Sequence, residues 1–360
     1  MIGWYVHHHG LGHLTRLQAV AAHLRVPVAG LSSLPEPASW AGPWVRLVRD
    51  DGAVAADADL SALDVTCHGA LHWVPLHDSG LAERTAQVAS WIAANEPALV
   101  VVDVSVEISV LARLAGVPIV VVAMPGHRGD RAHRLAYDLA DALLAPWPEG
   151  THDTGWPEHW RRKLWAVGGI SGLDASAAPG DLVTPAPDGT RSREAGGARR
   201  VLVVWGAGGT DVGADQLDRA RAATPGWTWV ERSPRNPSPD LAAELAGADV
   251  VVTHAGQNAV ADVAALRRPA VVVAQQRPFG EQVATAEAVD RLHAGVGLAA
   301  WPADAARWPA ILQRALERGG RGWAGWSAGG GAVEAAARLD ALATRQAPAG
   351  RTLVEAGRGR

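Results

Sequence analysis

Short runs rich in β-branched residues alternate along this chain with longer Ala/Leu/Arg segments of helical spacing. Parallel strands joined by crossover helices give that pattern. In the first half, apolar runs at residues 2–6, 26–29, 99–104 and 119–123 predict strands, and segments 14–24 and 106–115 predict helices between them. Gly116 and Pro118 close the second of these helices, since a glycine tolerates the turn out of a helix and a proline cannot continue one. From Gly172 to Arg200 the text changes to Ala, Pro, Gly, Asp and Ser without apolar periodicity, which predicts a linker. A second alternating series follows, with strands expected at 201–205, 227–231, 250–253 and 270–274 and a last helix at 332–343 after Gly329-Gly330-Gly331.

This reading gives an α/β fold of two Rossmann-like parallel-sheet domains facing a cleft. The first domain spans 1–171, a linker 172–199, the second domain 200–344, and a flexible tail 345–360. A length of 360 residues suits two domains, each with its own core. Ligands of open parallel sheets bind beyond the carboxyl ends of the strands, so the loops leaving those strands are where chemistry is expected.

Composition narrows the classes. With 48% apolar and 19% charged residues, the chain reads as a folded globular protein without a long disordered acidic or basic block. A formal charge of -4, with Lys163 the only lysine, argues against a nucleic-acid partner, which would need a concentrated basic surface. One cysteine, Cys67, rules out an internal disulfide and fits a reducing, cytoplasmic setting. The start has no charged and apolar leader pattern, and no apolar run approaches the roughly 20 residues of a spanning helix, so a soluble or peripherally membrane-associated protein is expected.

Two strand-to-loop junctions carry candidate chemistry. The first is His7-His8-His9-Gly10-Leu11-Gly12-His13, where Gly10 and Gly12 permit a tight turn and bring ligand close to the amides at a helix start. His13 stands at that helix start, where positive potential favours the neutral imidazole that accepts a proton. Asp103, ending the run 99–102, would either orient His13 or cap the helix that follows; the two roles are compatible. Strand alternation would separate His8 from His7 and His9, so no metal ligands are assigned.

The second junction lies in the other domain. Gly208, Gly209 and Thr210 offer backbone amides to a phosphate. His254, Gly256 and Asn258 flank the next helix start, and Asp262 follows Asn258 by one turn, placed for the vicinal hydroxyls of a ribose. Glu281 and Gln282 together offer acceptors and donors to sugar hydroxyls.

His254 to Gln282 resembles the donor-binding segment of GT-B glycosyltransferases, whose plant-type members carry H-C-G-W-N-S-x-x-E, then G-x-P, then D/E-Q. His254, Gly256 and Asn258 match its phosphate-contacting positions, Asp262 replaces the ribose-binding glutamate, and Glu281-Gln282 matches the sugar-contacting pair. Ala255, Gln257 and Ala259 depart from the pattern. Gly10-Leu11-Gly12-His13 is similar to the loop of the bacterial peptidoglycan N-acetylglucosaminyltransferase group, in which a catalytic base resides, and Asp103 stands where plant-type enzymes keep the aspartate partnering their histidine. The resemblance implies a metal-independent, inverting transferase with His13 as base and a nucleotide-sugar, of UDP type, as donor substrate rather than cofactor. It also implies a small-molecule or lipid-linked acceptor. A nucleotide-sugar hydrolase on the same fold, or a non-catalytic nucleotide-sugar-binding protein, would share these features. The segments 125–131 and 160–165 are candidates for the acceptor side and for a membrane-facing patch, with solvated surface charge as the alternative for each.

Overall fold

Uninterrupted apolar runs such as Leu99-Val100-Val101-Val102 become strands buried on both faces, as a parallel sheet covered by helices requires. The computed structural model describes residues 1–51, 63–151, 153–173, 198–206 and 208–346. Its first sheet contains β1 (Ile2–Val6), β2 (Val28–Ser32), β3 (Trp44–Arg46), β4 (Leu99–Asp103), β5 (Ile119–Val122), β6 (Ala142–Ala145) and β7 (Leu164–Ala166), in the order 3-2-1-4-5-6-7. The second contains β8 (Arg199–Val204), β9 (Trp227–Arg232), β10 (Val250–His254), β11 (Ala270–Val273) and β12 (Val296–Leu298), in the order 12-11-10-8-9. Every ladder between these strands is parallel.

All eight expected strands are present within three residues of their predicted bounds, the largest difference being at the end of β2. Those not anticipated, β3, β6, β7 and β12, have three or four residues each and present too short an apolar run to stand out from helix or loop. The first strand order reverses between β1 and β4, and the second between β8 and β10. Such switch points open a crevice at the carboxyl edge of a sheet, because the crossover helices on either side diverge. Both candidate junctions of the sequence leave strands that border one.

Register sets the side chains at these crevices. Val6 pairs with Asp103, which puts the carboxylate beside the loop that leaves β1. Thr253 pairs with Val204 and His254 with Val273, which sets His254 beside the loop leaving β8.

The chain crosses between the domains twice, and the two crossings touch. The Gly169 amide donates to the Trp326 carbonyl (3.1 Å) and the Ser327 hydroxyl to the Gly169 carbonyl (3.2 Å). Beyond the second crossing, the helix Gly331–Gln346 packs on the first sheet rather than the second. Its Ala332, Ala335, Ala336 and Leu339 share a core with Ile2, Trp4 and Leu17, and Asp340 accepts from the amides of Arg25 and Val26. The boundary drawn at 344 therefore assigned this helix to the wrong body, because its apolar stripe alone does not say which sheet it covers. The proposed linker and tail fall mostly on residues 174–197 and 347–360, outside the described residues.

Tryptophans do much of the core filling in a chain with one phenylalanine: Trp4, Trp147, Trp160, Trp308 and Trp323 are fully buried. Trp160 packs edge-on against Tyr137 and Trp156, so the aromatic part of the 160–165 segment is core; Arg161 and Arg162 are exposed beside it. Among the described residues, no helix is long and apolar enough to cross a membrane.

Candidate active site

At the end of β1 the chain leaves the strand, turns through Gly10 at φ +83° and enters the helix Gly12–Ala21. His13 is the second residue of that helix, and its Nδ1 lies 2.9 Å from Asp103 Oδ1. Ser105, not Asp103, caps the helix Val106–Leu114 by accepting from the Ile108 amide, and the Asp103 carboxylate is engaged by His13 and Arg16 instead. Asp103 is fully buried. Burial alone would raise its carboxyl, but the Arg16 guanidinium and His13 outweigh it and hold it below the ordinary carboxylate value. An ionised Asp103 takes the Nδ1 proton of His13 as a hydrogen bond, which leaves Nε2 as the basic nitrogen. Val104, directly after Asp103, sits at φ +63°. A β-branched residue in this left-handed region stores strain on the order of 1–3 kcal/mol, as residues at functional sites often do.

The three histidines before Gly10 do not alternate, because β1 ends at Val6. Instead the His7 and His8 rings stack at 5.0 Å, and His8 and His9 both reach Asp51 Oδ2, at 3.2 and 3.1 Å. Arg49 binds the same carboxylate through two nitrogens. Burial, followed by repulsion from His13, His8 and His9, pushes His7 down to about 3, so it is neutral at pH 7.

Across the cleft, the helix Gln257–Ala265 starts at Gly256 with no side-chain cap, so its first amides remain available to an anion. His254 Nδ1 accepts from the Gly256 amide (3.0 Å), which leaves its proton on Nε2. Burial, and then the Arg277 guanidinium, pushes His254 down to about 4, making it a neutral donor. A side chain on Gly206 would meet His254 Nε2 at 2.6 Å, so only glycine lets the β8 loop pass that close.

Asn258 donates to the Gly12 carbonyl (3.2 Å), linking the two candidate loops directly. Asp262 accepts from the Ser171 hydroxyl (2.6 Å) and the Gly172 amide (3.2 Å), which ties the expected ribose ligand to the first interdomain crossing. Gln282 accepts from the amides of Ala255 and Gln275 and braces both loops from behind. Glu281 accepts from Arg128 of the first domain (3.2 Å). Of the β8 loop residues, Gly208 faces the cleft, whereas Gly209 and Thr210 stand outside both cavities described below.

Two cavities meet at the first loop. One, of about 500 Å³, is lined by Gly12, His13, Gly206, His254, Asn258 and Asp262, and it has an apolar end at Trp205, Pro234, Leu241 and Leu245. The other, of about 760 Å³, lies against the first domain, with Val104, Val106, Val121, Val122 and Met124 along its wall and His72, His133, Arg128, Phe279 and Glu281 at its polar side. Gly10, His13, Met124 and Gly208 line both. Most of the residues chosen from sequence are thus brought to one place.

Arg16 and Arg277 were not singled out in the sequence, whereas Arg128 belongs to the segment 125–131 expected on the acceptor side and lines the larger cavity. Arg16 lies one turn past His13 on the same helix face, a spacing that would have revealed it. Arg277 donates to the carbonyls of Gly208 and Gly209, placing positive charge at the β8 loop. Arg128 is buried, lies 4.9 Å from the Phe279 ring and donates to His133 Nε2 at 3.2 Å; Phe279 itself has φ +60°, and its carbonyl accepts from the His127 amide. Among the described residues, two groupings have metal-ligand composition: His8, His9 and Asp51, and His72, Asp130 and His133. In the second, the Arg128 donor occupies Nε2 of His133, so its proton sits on Nδ1 facing Asp130 and neither nitrogen offers a lone pair to a cation.

Comparison with known proteins agrees with this architecture. Residues 237–317, which include the whole stretch from His254 to Gln282, match the model of the glycosyltransferase family 28 C-terminal domain. No curated protein sequence matches the chain. Among solved structures, the calicheamicin glycosyltransferase CalG4 is similar with a TM-score of 0.62 and 18% identity, covering 96% of this chain and 99% of that one. The spinosyn rhamnosyltransferase SpnG complexed with thymidine diphosphate has a TM-score of 0.58 and 17% identity, with 96% of each chain covered. MurG of Acinetobacter baumannii has a TM-score of 0.58 and 13% identity, covering 96% of this chain and 99% of that one. The chain has the GT-B fold.

Proposed function

We propose that this protein transfers a sugar from a nucleoside diphosphate donor to an acceptor hydroxyl, with inversion and with His13 as the base. The observation that carries this reading is the position of His13, on the shared wall of the two cavities. The donor lies in the smaller cavity with its diphosphate on the helix start at Gly256 to Asn258, its ribose at Asp262 and its base toward Trp205 and Pro234. A pyrimidine nucleotide, a UDP-sugar first, is the donor class favoured by the motif resemblance and by the thymidine diphosphate complex of SpnG.

The acceptor occupies the larger cavity, whose valine and methionine wall suits an apolar body with a hydroxyl directed at His13. His13 Nε2 takes the hydroxyl proton while the acceptor oxygen attacks the anomeric carbon. The bond from that carbon to the diphosphate oxygen breaks on the opposite face. The departing charge is met by the amides of the helix start, by the His254 Nε2 proton and by the nearby Arg277, a fixed positive field that takes the place of a metal ion. Asp103 fixes the imidazole tautomer and stabilises the imidazolium.

Incubation with a panel of nucleotide-sugars, with and without hydroxylated apolar acceptors, tests the reading. Release of nucleoside diphosphate that depends on acceptor is expected. Equal release from donor and water alone would make the protein a hydrolase instead.

A further inference from the structure

A continuous hydrogen-bonded chain runs from the donor cavity to His13. Gln257, the first residue of the helix Gln257–Ala265, lines the donor cavity. Its Oε1 accepts from Arg16 Nη2 at 2.6 Å, across the domain boundary. A second nitrogen of the guanidinium, Nη1, donates to both oxygens of Asp103, at 2.7 and 2.6 Å, and Asp103 meets His13 at 2.9 Å. Arg16 has no acceptor capacity, so it fixes the amide orientation: Oε1 must face the guanidinium and Nε2 must face away. That Nε2 is buried and has no hydrogen-bond partner among the described residues. A buried amide left with unused donors is costly unless a ligand supplies the acceptor.

We propose that Gln257 Nε2 donates to the diphosphate of the nucleotide-sugar, and that Arg16 is the positioning residue that carries this contact to Asp103 and His13. The proposal rests on the transferase reading above and adds a physical link between donor binding and the base. Arg16 also sets the charge of the site. With neutral His13, the buried Arg16 and Asp103 charges cancel. Without Arg16, an unopposed Asp103 carboxylate would hold the proton on the imidazole more strongly and leave less free base at neutral pH.

Other titratable or charged groups face His13 and stay constant in this comparison. His7 lies 5.8 Å away between ring centroids, from the loop after β1. Arg128, His72 and His133 of the first domain, and Glu281 and Arg277 of the second, line the cavity that His13 shares. None of them touches Asp103.

Two readouts separate this proposal from the transferase reading. The first is NMR titration of the His13 ring in the wild-type protein, which requires no turnover. Arg16→Gln is expected to move its midpoint to higher pH by about one unit, the lower end of the effect of a neighbouring charge. Arg16→Lys, which keeps the charge, is expected to stay near wild type. A midpoint that does not move in Arg16→Gln, or that moves equally in Arg16→Lys, overturns the charge-setting role.

The second readout is calorimetric binding of uridine and thymidine diphosphate to Gln257→Leu, a change that leaves the buried ion pair intact. A loss of affinity of about tenfold or more is expected for a hydrogen bond to a charged phosphate. Unchanged affinity for a nucleotide that binds wild type overturns the Gln257 contact. If the wild-type protein transfers no sugar from any donor while the His13 midpoint still shifts, the linkage stands and the transferase reading fails.

Discussion

Asp103→Asn perturbs the buried centre of the site by one atom and gives a magnitude that follows from the contacts. The wild-type carboxylate is fully buried and accepts two bonds from Arg16 and one from His13. An asparagine keeps one oxygen, so Arg16 loses a bond and its buried counter-charge together. Leaving one partner of a buried pair uncompensated costs about 3–5 kcal/mol. In a domain of this size each kcal/mol lowers the melting midpoint by about 2–4 °C, so a fall of roughly 6–20 °C is expected. Turnover is expected to fall about 10⁴-fold, as when an amide replaces the aspartate of a histidine-based triad and no longer fixes the imidazole tautomer.

The double substitution Arg16→Met with Asp103→Leu separates these effects. Replacing a buried pair by apolar side chains of similar volume is often neutral, so stability should return to within about 1–2 kcal/mol of wild type while turnover stays lost. Thermal unfolding by circular dichroism and acceptor-dependent release of nucleoside diphosphate measure the two quantities. An Asp103→Asn protein that melts within about 2 °C of wild type and keeps its turnover would refute the reasoning, since under about 1 kcal/mol would then separate them.

Asp262→Ala is expected to weaken nucleotide binding without abolishing folding, and calorimetric titration with the free nucleoside diphosphate measures it; unchanged affinity would remove the ribose role. Stability is expected to depend on pH through His254 and His133, each pushed down to about 4 from 6.5, by burial first and then by Arg277 and Arg128 respectively. Because the folded values lie below the unfolded ones, the neutral forms stabilise the fold fully above pH 6.5, and that contribution is lost as pH falls from 6.5 toward 4. The melting midpoint should drop across that window, and His254→Asn, which retains an acceptor for the Gly256 amide, should flatten the drop. A midpoint independent of pH between 6.5 and 4 would contradict the assignment of neutral, buried histidines.

The architecture was legible in the sequence where strands were long enough to leave an apolar run, as at 99–103, and illegible where three residues sufficed, as at Val296–Leu298. The order of the candidate residues was legible because His254 to Asp262 follow one another along one strand, loop and helix, and Glu281 and Gln282 open the helix after the next strand. Pairing His13 with Asp103 needed only the expectation that adjacent strands end at the same edge, and the register of Val6 with Asp103 bears it out.

What the sequence did not carry was partnership across the cleft. Nothing in the text around Gln257 announces Arg16, which is 241 positions away, and nothing near Glu281 announces Arg128. The destination of the last helix was hidden for the same reason, since an apolar stripe of alanine and leucine fits either sheet. The triple histidine misled because alternation was extended past Val6, where the strand ends.

On the proposed function, His13 takes the acceptor proton at the meeting point of the two cavities. The most direct test compares wild type with His13→Ala in single-turnover transfer from a bound nucleotide-sugar, with donor affinity measured on the same proteins. The account predicts that donor affinity is retained while formation of the glycoside falls by about 10²–10⁴-fold, the usual contribution of a positioned base. Glycoside formation at the wild-type rate in His13→Ala, with donor bound equally well, would contradict it.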